Sequence, residues 1–284
     1  MTTQVGVIGL GVLGKPIAER LVGKGFDVAV FDVRDEPIAA LKSAGATACT
    51  SPAEVAQHSD FIVSLVSDEA QTNDIVFGAD GILTTLRPGA TLIVGSTLGP
   101  GPVKKVADAL ASHGGETLDA PISGGYLAAH EGTLSVMIGG KQAVLERALP
   151  VLHAFATSIT RAGEVGAGQA AKLAHQLVFS LNVMALLEGL ALGKAAGVDP
   201  DVMKTILRDG IANSSVLALW NDLGPRWKNM LNATAPGVTP PNIRKDLHLV
   251  LELAQAIGVP LYLGTQASLV GDAGIATGHS DPTL

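Results

Sequence analysis

The sequence predicts an α/β chain: a doubly wound parallel sheet over residues 1–162, followed by an all-α domain over residues 163–284. Three observations predict it. From Val5 to about Thr160, β-branched apolar runs alternate with stretches of helical periodicity, the pattern of strand–helix–strand units joined by right-handed crossovers. The alternation stops at a glycine-rich break, Gly163-Glu164-Val165-Gly166-Ala167-Gly168. Beyond that break almost no strand pattern remains.

The strand candidates, in order, are Val5–Ile8, Val28–Phe31, Phe61–Leu65, Thr91–Val94, Glu116–Leu118, Ser135–Ile138 and Ser158–Thr160. Helical stretches fall between the early ones at Ile38–Ala44, Ser51–Gln57 and Gly101–His113. Ser51 followed by Pro52 reads as an N-cap with proline at the first helical position. In the second half, Gln169–Ala196 is one long helical run, ended by Gly197 and followed by Asp199-Pro200, which opens the next helix. Asp201–Arg208, Ser214–Leu223, Ile243–Ile257 and Leu261–Asp272 are also helical in pattern, with Pro236, Pro240 and Pro241 marking a loop. The tail Gly278–Leu284 is expected to be loose.

The first βα junction carries the most informative motif. Gly9-Leu10-Gly11-Val12-Leu13-Gly14 has G-x-G-x-x-G spacing directly after a β-branched run, and Pro16 to Leu21 open a helical pattern after it. In a Rossmann-type dinucleotide fold the first glycine permits the tight turn, the second lets the backbone approach a pyrophosphate, and the third lets helix and strand pack closely. The amides of the following helix then face the anion. The second strand ends at Asp32, 23 residues past Gly9, against about 20 expected for a carboxylate that binds the adenosine ribose. Such a carboxylate accepts from the 2′-hydroxyl and repels a 2′-phosphate, so NAD is expected over NADP, with Asp32 and Val33 beside it; Arg34, two residues on, could pair with a phosphate, and an ordinary turn residue before the next helix is the other reading of Asp32.

Composition sets the bounds. The 284 residues suffice for two domains, and the low aromatic content (4 %) leaves the core to Ala, Val, Leu and Ile. The formal net charge is −7, with no Lys/Arg cluster resembling a nucleic-acid footprint. The single cysteine, Cys49, excludes an internal disulfide, which points to a reducing cytoplasm. The histidines (58, 113, 130, 153, 175, 248 and 279) are scattered, so no metal site is expected. Leu177–Val198 could be mistaken for a membrane span, but it carries Asn182, Glu188 and Lys194, and the expectation is a buried helix rather than membrane association. A long helix apolar on several faces needs more cover than its own domain supplies, which predicts a homodimer or homotetramer.

Two segments can carry chemistry. Asp119-Ala120-Pro121-Ile122-Ser123-Gly124-Gly125 follows a strand and sets a hydroxyl beside exposed backbone amides, donors that suit a carboxylate; a plain turn is the other reading. Lys172 lies just past the glycine-rich break among Ala171, Leu173 and Ala174, with His175 and Gln176 at i+3 and i+4 on the same helix edge. A lysine there serves as a proton-transfer group if desolvated, or snorkels to the surface from a hinge. His175 could equally be a structural histidine. Trp220 and Trp227 read as core anchors.

Taken in order, Gly9 to Gly14, Gly95-Ser96-Thr97, Asp119 to Gly125, Gly132-Thr133-Leu134 with Gly139-Gly140, Gly166 to Lys172 and Lys245-Asp246-Leu247 resemble the β-hydroxyacid dehydrogenases, nearly end to end. The resemblance implies Lys172 as the catalytic lysine, Ser123 and Gly124 as contacts to a substrate carboxylate, Thr97 beside the nicotinamide, and Lys245 as the late lysine that approaches the cofactor. Leu65 and Val66 fall where the family often has Leu-Pro over the cofactor. His175 and Gln176 stand where the family usually has two asparagines. That departure leans toward a longer or more hydroxylated substrate than 3-hydroxyisobutyrate, with Gln176 and His175 holding its hydroxyl. The implied reaction is NAD-dependent interconversion of a small 3-hydroxy acid and its oxo acid or semialdehyde. The competing readings are an imine reductase, which usually lacks a lysine at position 172, and a catalytically silent dinucleotide-binding scaffold.

Overall fold

The computed structural model describes residues 2–218 and 241–277. The chain divides into two compact units, Met1–Lys172 and Leu173–Leu284.

The first unit follows the predicted alternation. Its strands are β1 (Gln4–Ile8), β2 (Asp27–Phe31), β3 (Thr47–Ala48), β4 (Phe61–Ser64), β5 (Thr91–Val94), β6 (Glu116–Asp119), β7 (Ile122–Ser123), β8 (Leu134–Gly139) and β9 (Ala156–Gly163). The helices between them are α1 (Gly14–Gly23), α2 (Asp35–Ser43), α3 (Pro52–Gln57), α4 (Glu69–Phe77), α5 (Pro100–Ser112), α6 (Gly125–Glu131) and α7 (Gln142–Leu152). Strand order is β3-β2-β1-β4-β5-β6-β8-β7, with β9 pairing to β8. From β3 to β6 every pairing is parallel, and the order reverses at β1, leaving the carboxyl ends of β1 and β4 side by side. In such sheets ligands bind at that reversal.

The alternating side chains of each strand explain the two helical layers. Val5, Val7, Val30, Val63 and Ile93 share one apolar cluster with Ile17 and Leu21 of α1 and Leu41 of α2. Their sequence neighbours Ile8, Ala29, Ile62, Leu92 and Val94 join Val55 of α3, Val76 of α4 and Val103, Val106 and Leu110 of α5 in a second cluster. Period-2 alternation thus sends successive apolar residues to opposite faces, each covered by helices. Ser51 caps α3, accepting from the Glu54 N–H (3.1 Å).

The sheet is not parallel throughout. Strand β8 runs antiparallel to β6 and β7, then parallel to β9 through the crossover α7. A parallel return needs a crossover that carries the chain back across a face of the sheet. The segment after β6 is instead spent on β7 and α6, so the chain doubles back. Strands β3 and β7 have two residues each, too few for a periodic signal.

In the second unit no strand occurs among the described residues. One helix, α8 (Ala167–Ala195), begins in the first unit and continues into the second; α9 (Pro200–Asp209), α10 (Ser215–Ala218), α11 (Pro241–Ile257) and α12 (Tyr262–Thr277) follow. Pro241 opens α11 rather than lying in the loop expected for it; the other two prolines of that loop, the end of the expected helix Ser214–Leu223, both tryptophans and the tail from Gly278 fall outside the described residues. Val183, Leu186 and Leu190 of α8 pack with Val216 and Leu217 of α10, and with Met203 and Leu207 of α9. Ile243 and Leu247 of α11 and Ala267 of α12 form a second cluster, against which Leu181 and Met184 pack.

The long helix, expected to need more cover than its own domain supplies, is only partly buried within the single chain. By length and composition α8 is apolar enough to cross a membrane, and 28 % of its most apolar window is buried within the chain. The neighbouring helices cover one stripe, while Val178 and Leu192 stay 58 % and 73 % exposed.

Candidate functional site

The glycine turn between β1 and α1 has the geometry its spacing predicts. Gly9 takes φ +89°, and a Cβ there would lie 2.8 Å from the Leu65 carbonyl carbon and 3.0 Å from the Val66 nitrogen. A Cβ on Gly14 would stand 1.8 Å from the Gly9 oxygen. A Cβ on Gly11 would meet nothing within 4 Å. Two glycines are therefore required by the protein's own backbone, and the middle one faces open space. Helix α1 has no acidic residue in its first turn and no side-chain cap on Leu13, which leaves its N-terminal amides suited to an anion. Val12 is 64 % exposed beside them. This cradle fits a dinucleotide pyrophosphate.

Asp32, at the end of β2, closes the turn from the other side. Its Oδ2 accepts from the Leu10 N–H (2.6 Å), and its Oδ1 accepts from the Arg34 N–H (2.9 Å) and Nε (3.0 Å). Arg34 Nη2 also donates to the Leu10 carbonyl (3.2 Å). Burial works against the charge on Asp32, but the Arg34 guanidinium and the two backbone amides outweigh it and hold the carboxyl below its ordinary range. Val33 is 90 % exposed.

The exits of β4, β5 and β6 form the rest of the unit's edge. The Leu65 N–H donates to the Ile8 carbonyl (2.8 Å), fixing the Leu65–Val66 loop next to Gly9. Ser96 Oγ donates to the Val66 carbonyl (2.7 Å). Gln169, fully buried, accepts from the Leu98 N–H through Oε1 (2.8 Å) and donates from Nε2 to the Ser96 carbonyl (2.9 Å), on either side of Thr97. Asp119, also fully buried, accepts from the Gly166 N–H through Oδ1 and the Gln169 N–H through Oδ2, both at 2.8 Å. Burial pushes the Asp119 carboxyl above its ordinary value, only partly opposed by those amides. Lys172 follows Gln169 by three residues and is buried (6 % exposed). Ser123 pairs with Ser135 across β7 and β8, and the next two residues, Gly124 and Gly125, take φ +127° and +70°.

In the second unit, Gln176 Nε2 donates to Asp246 Oδ2 (2.6 Å), and both side chains are buried. Because the carboxylate takes the amide NH2, Gln176 Oε1 faces His175, which donates to it from Nδ1 (3.1 Å). Lys245 Nζ lies 3.1 Å from Asp246 Oδ1.

The chain is similar to known proteins along nearly its whole length. Residues 4–163 match the NAD-binding domain of 6-phosphogluconate dehydrogenase, and residues 166–282 match the NAD-binding domain of NADP-dependent 3-hydroxyisobutyrate dehydrogenase. A probable mitochondrial 3-hydroxyisobutyrate dehydrogenase of Dictyostelium discoideum is 35 % identical over 93 % of this chain and 83 % of its own length. The chain belongs to the β-hydroxyacid dehydrogenase family. An L-threonate dehydrogenase of Cupriavidus necator is 33 % identical over 98 % of this chain and 93 % of its own. The crystal structure of 3-hydroxyisobutyrate dehydrogenase from Salmonella typhimurium superposes with a TM-score of 0.83 at 31 % identity, covering 97 % of this chain and 95 % of that one. Imine reductases share the fold alone, as with one from Pseudomonas sp. at 21 % identity and a TM-score of 0.66.

As a member of this family the protein is an NAD(P)-dependent dehydrogenase of hydroxy acids, not a silent scaffold. Within the first unit, the structure joins Gly9 to Gly14, Asp32, Leu65, Val66 and the loop of Thr97 into one hydrogen-bonded edge. Within the second it joins His175, Gln176 and Lys245 through Asp246. Sequence reasoning missed what Asp119, Gln169 and Asp246 do. The available signal was an amide inside the Ala-rich run Ala167–Ala171, where an apolar residue would otherwise serve. Among the described residues no group of His, Cys, Asp or Glu could hold a metal.

Proposed function

We propose that the protein oxidises a small 3-hydroxy carboxylic acid, with Lys172 as the general acid/base and NAD as the acceptor. The observation that carries this reading is the burial of Lys172 three residues past Gln169, whose amide bonds on both sides of Thr97. A buried lysine needs a reason, and proton transfer supplies one. In this reading Ser123 Oγ and the Gly124 amide receive the carboxylate. Gln176 and His175, one helical turn past Lys172, orient the hydroxyl. Lys172 Nζ takes the hydroxyl proton as the alcohol becomes a carbonyl, and returns it in the reverse direction. The nicotinamide, when bound, supplies the two-electron acceptor. Gly9 to Gly14 hold the pyrophosphate, Asp32 and Val33 flank the adenosine ribose, Leu65, Val66 and Thr97 lie toward the nicotinamide, and Lys245 adds a positive charge for the same ligand.

The preference for NAD over NADP rests on Asp32, whose charge opposes a 2′-phosphate, although Arg34 partly neutralises it. His175 and Gln176 in place of asparagines favour a substrate with more hydroxyls or a longer chain than 3-hydroxyisobutyrate. The exposed Val178 and Leu192 of α8 support a homo-oligomer. The buried thiol of Cys49 suits a reducing compartment.

The test is NADH formation from a panel of three- to six-carbon hydroxy acids that includes L-threonate and 3-hydroxyisobutyrate. Lys172→Ala should lower turnover by about 10²–10⁴ while NADH binding survives; unchanged turnover removes Lys172 from the chemistry. Asp32→Ala should raise the ratio of NADP to NAD activity, and an unchanged ratio removes Asp32 as the discriminating group.

A further inference from the structure

Asp119 and Gln169 are fully buried polar side chains that the proton transfer does not use. Asp119 could be a helix cap and nothing more. Its two oxygens take the amides of Gly166 and Gln169, two of the donors that the start of α8 leaves without helical partners. Gln169 goes further, because its side chain leaves its own helix. It takes the Leu98 N–H and supplies a donor to the Ser96 carbonyl, two backbone groups of opposite polarity that bracket Thr97. A primary amide answers both at this length: a carboxylate lacks the donor, and an apolar side chain of the same length lacks both groups. The link extends through Ser96 Oγ to the Val66 carbonyl.

The surrounding glycines show how closely this region is fitted. A Cβ on Gly139 would lie 2.2 Å from Asp119 Oδ1, and one on Gly168 would lie 2.6 Å from the Met137 oxygen and 2.8 Å from the Asp119 oxygen. The first turn of α8 is thus seated on the ends of β6 and β8, with Asp119 tying it to β6 and Gln169 tying it to the exit of β5. Lys172 stands at i+3 from Gln169, on the same helix face. One amide side chain therefore fixes the loop that carries Thr97 relative to the helix turn that carries Lys172.

We infer that Gln169 is a positioning residue for the reaction: its amide sets the registry between Thr97 and Lys172, and Asp119 holds the helix end that makes this possible. The inference rests on the reading of Lys172 as the proton-transfer group. A misplacement of about 1 Å in such a geometry costs on the order of 10²-fold in rate.

The test uses the full chain and compares Gln169→Met with wild type and with Val151→Ala, a core truncation in α7. Hydrogen exchange is followed in peptides covering residues 95–99 and 166–173. Turnover of L-threonate and of 3-hydroxyisobutyrate with NAD is followed with protiated acids and with acids deuterated at the reacting carbon. Gln169→Met should speed exchange in both segments together, although they lie about seventy residues apart in sequence. It should also lower kcat about 10- to 100-fold with KM within threefold, and raise the deuterium isotope effect on kcat as C–H cleavage becomes slower than the other steps. Val151→Ala should leave the isotope effect and the exchange at 95–99 unchanged. Faster exchange confined to 166–173, or a kcat loss no larger than that of Val151→Ala, overturns the inference. If Gln169→Met does not fold, Gln169→Asn, one methylene too short to reach both partners, gives the same comparison. Should wild type turn over neither acid, it is the substrate reading that fails, and the exchange result alone then decides the coupling.

Discussion

Two glycines three residues apart in the same turn should respond in opposite ways to one added methyl group. At Gly14 the methyl would sit 1.8 Å from the Gly9 oxygen, whereas real Cβ contacts essentially never fall below 3.0 Å, so turn and helix must part by about 1.2 Å. The atom in the way is backbone and cannot rotate aside. Gly14→Ala should therefore cost about 1–3 kcal/mol of stability, in the range of overpacking, and disturb the cradle with it. At Gly11 the methyl would meet no atom of the protein within 4 Å, and the residue is not among those with positive φ. Gly11→Ala should fold with stability within about 0.5 kcal/mol of wild type. It should nevertheless weaken NADH, because the methyl occupies space that only a closely approaching phosphate would use. A loss of tenfold or more, about 1.4 kcal/mol, is expected. The assay is a fluorescence titration with NADH beside urea melts of both variants. NADH binding by Gly11→Ala at wild-type affinity would refute the reasoning, since the open space above Gly11 would then have no ligand in it. Equal destabilisation of the two variants would refute the packing half.

Further predictions concern titrating groups. Asp32 has its folded-state pKa lowered, so its contribution to stability is fully present above the ordinary value of 3.8 and is lost as pH falls through the lower folded value. The urea midpoint of wild type should exceed that of Asp32→Asn at about pH 6, and the gap should narrow at about pH 2.5; a gap that widens on acidification contradicts the pairing with Arg34. Cys49 is buried, and that burial pushes its thiol up to about 11, with Glu54 adding to the rise. The folded protein should resist thiol reagents near neutral pH and react fully in denaturant, and rapid labelling of the native chain would contradict its burial.

The part of the site legible in the sequence is the part with local causes. Gly9, Gly11 and Gly14 were readable because a strand, a tight turn and a helix must succeed one another within a few residues. Asp32 was readable because the length of one βαβ unit fixes where the second strand ends. Helices α4 and α6 gave weaker signals: α4 spreads its few buried residues, Thr72, Ile75 and Val76, over a short span, and α6 buries only Ala129. The reversal of β8 was not legible, because period-2 alternation is the same for a parallel and an antiparallel neighbour. Nor was the amide of Gln169, whose partners Ser96 and Leu98 lie about seventy residues away; no local spacing rule encodes such a contact. The incomplete cover of α8 was legible, because its apolar residues fall on several faces and exceed what its own domain can bury. Its apolar composition was plain, but composition does not say which side its own chain covers.

By itself, then, the order of residues determined most of the succession of strands and helices, the glycine turn with its acid partner Asp32, and Lys172 near the start of a long helix. These follow from backbone sterics and side-chain periodicity, which act over a few residues. The fold alone decided that Asp119 and Gln169 would seat that helix on the ends of β5 and β6, and that Asp246 would orient Gln176 toward His175. Hydrogen bonds between distant segments form only when packing removes water from both partners, so their pairing is set by the closed core rather than by either segment.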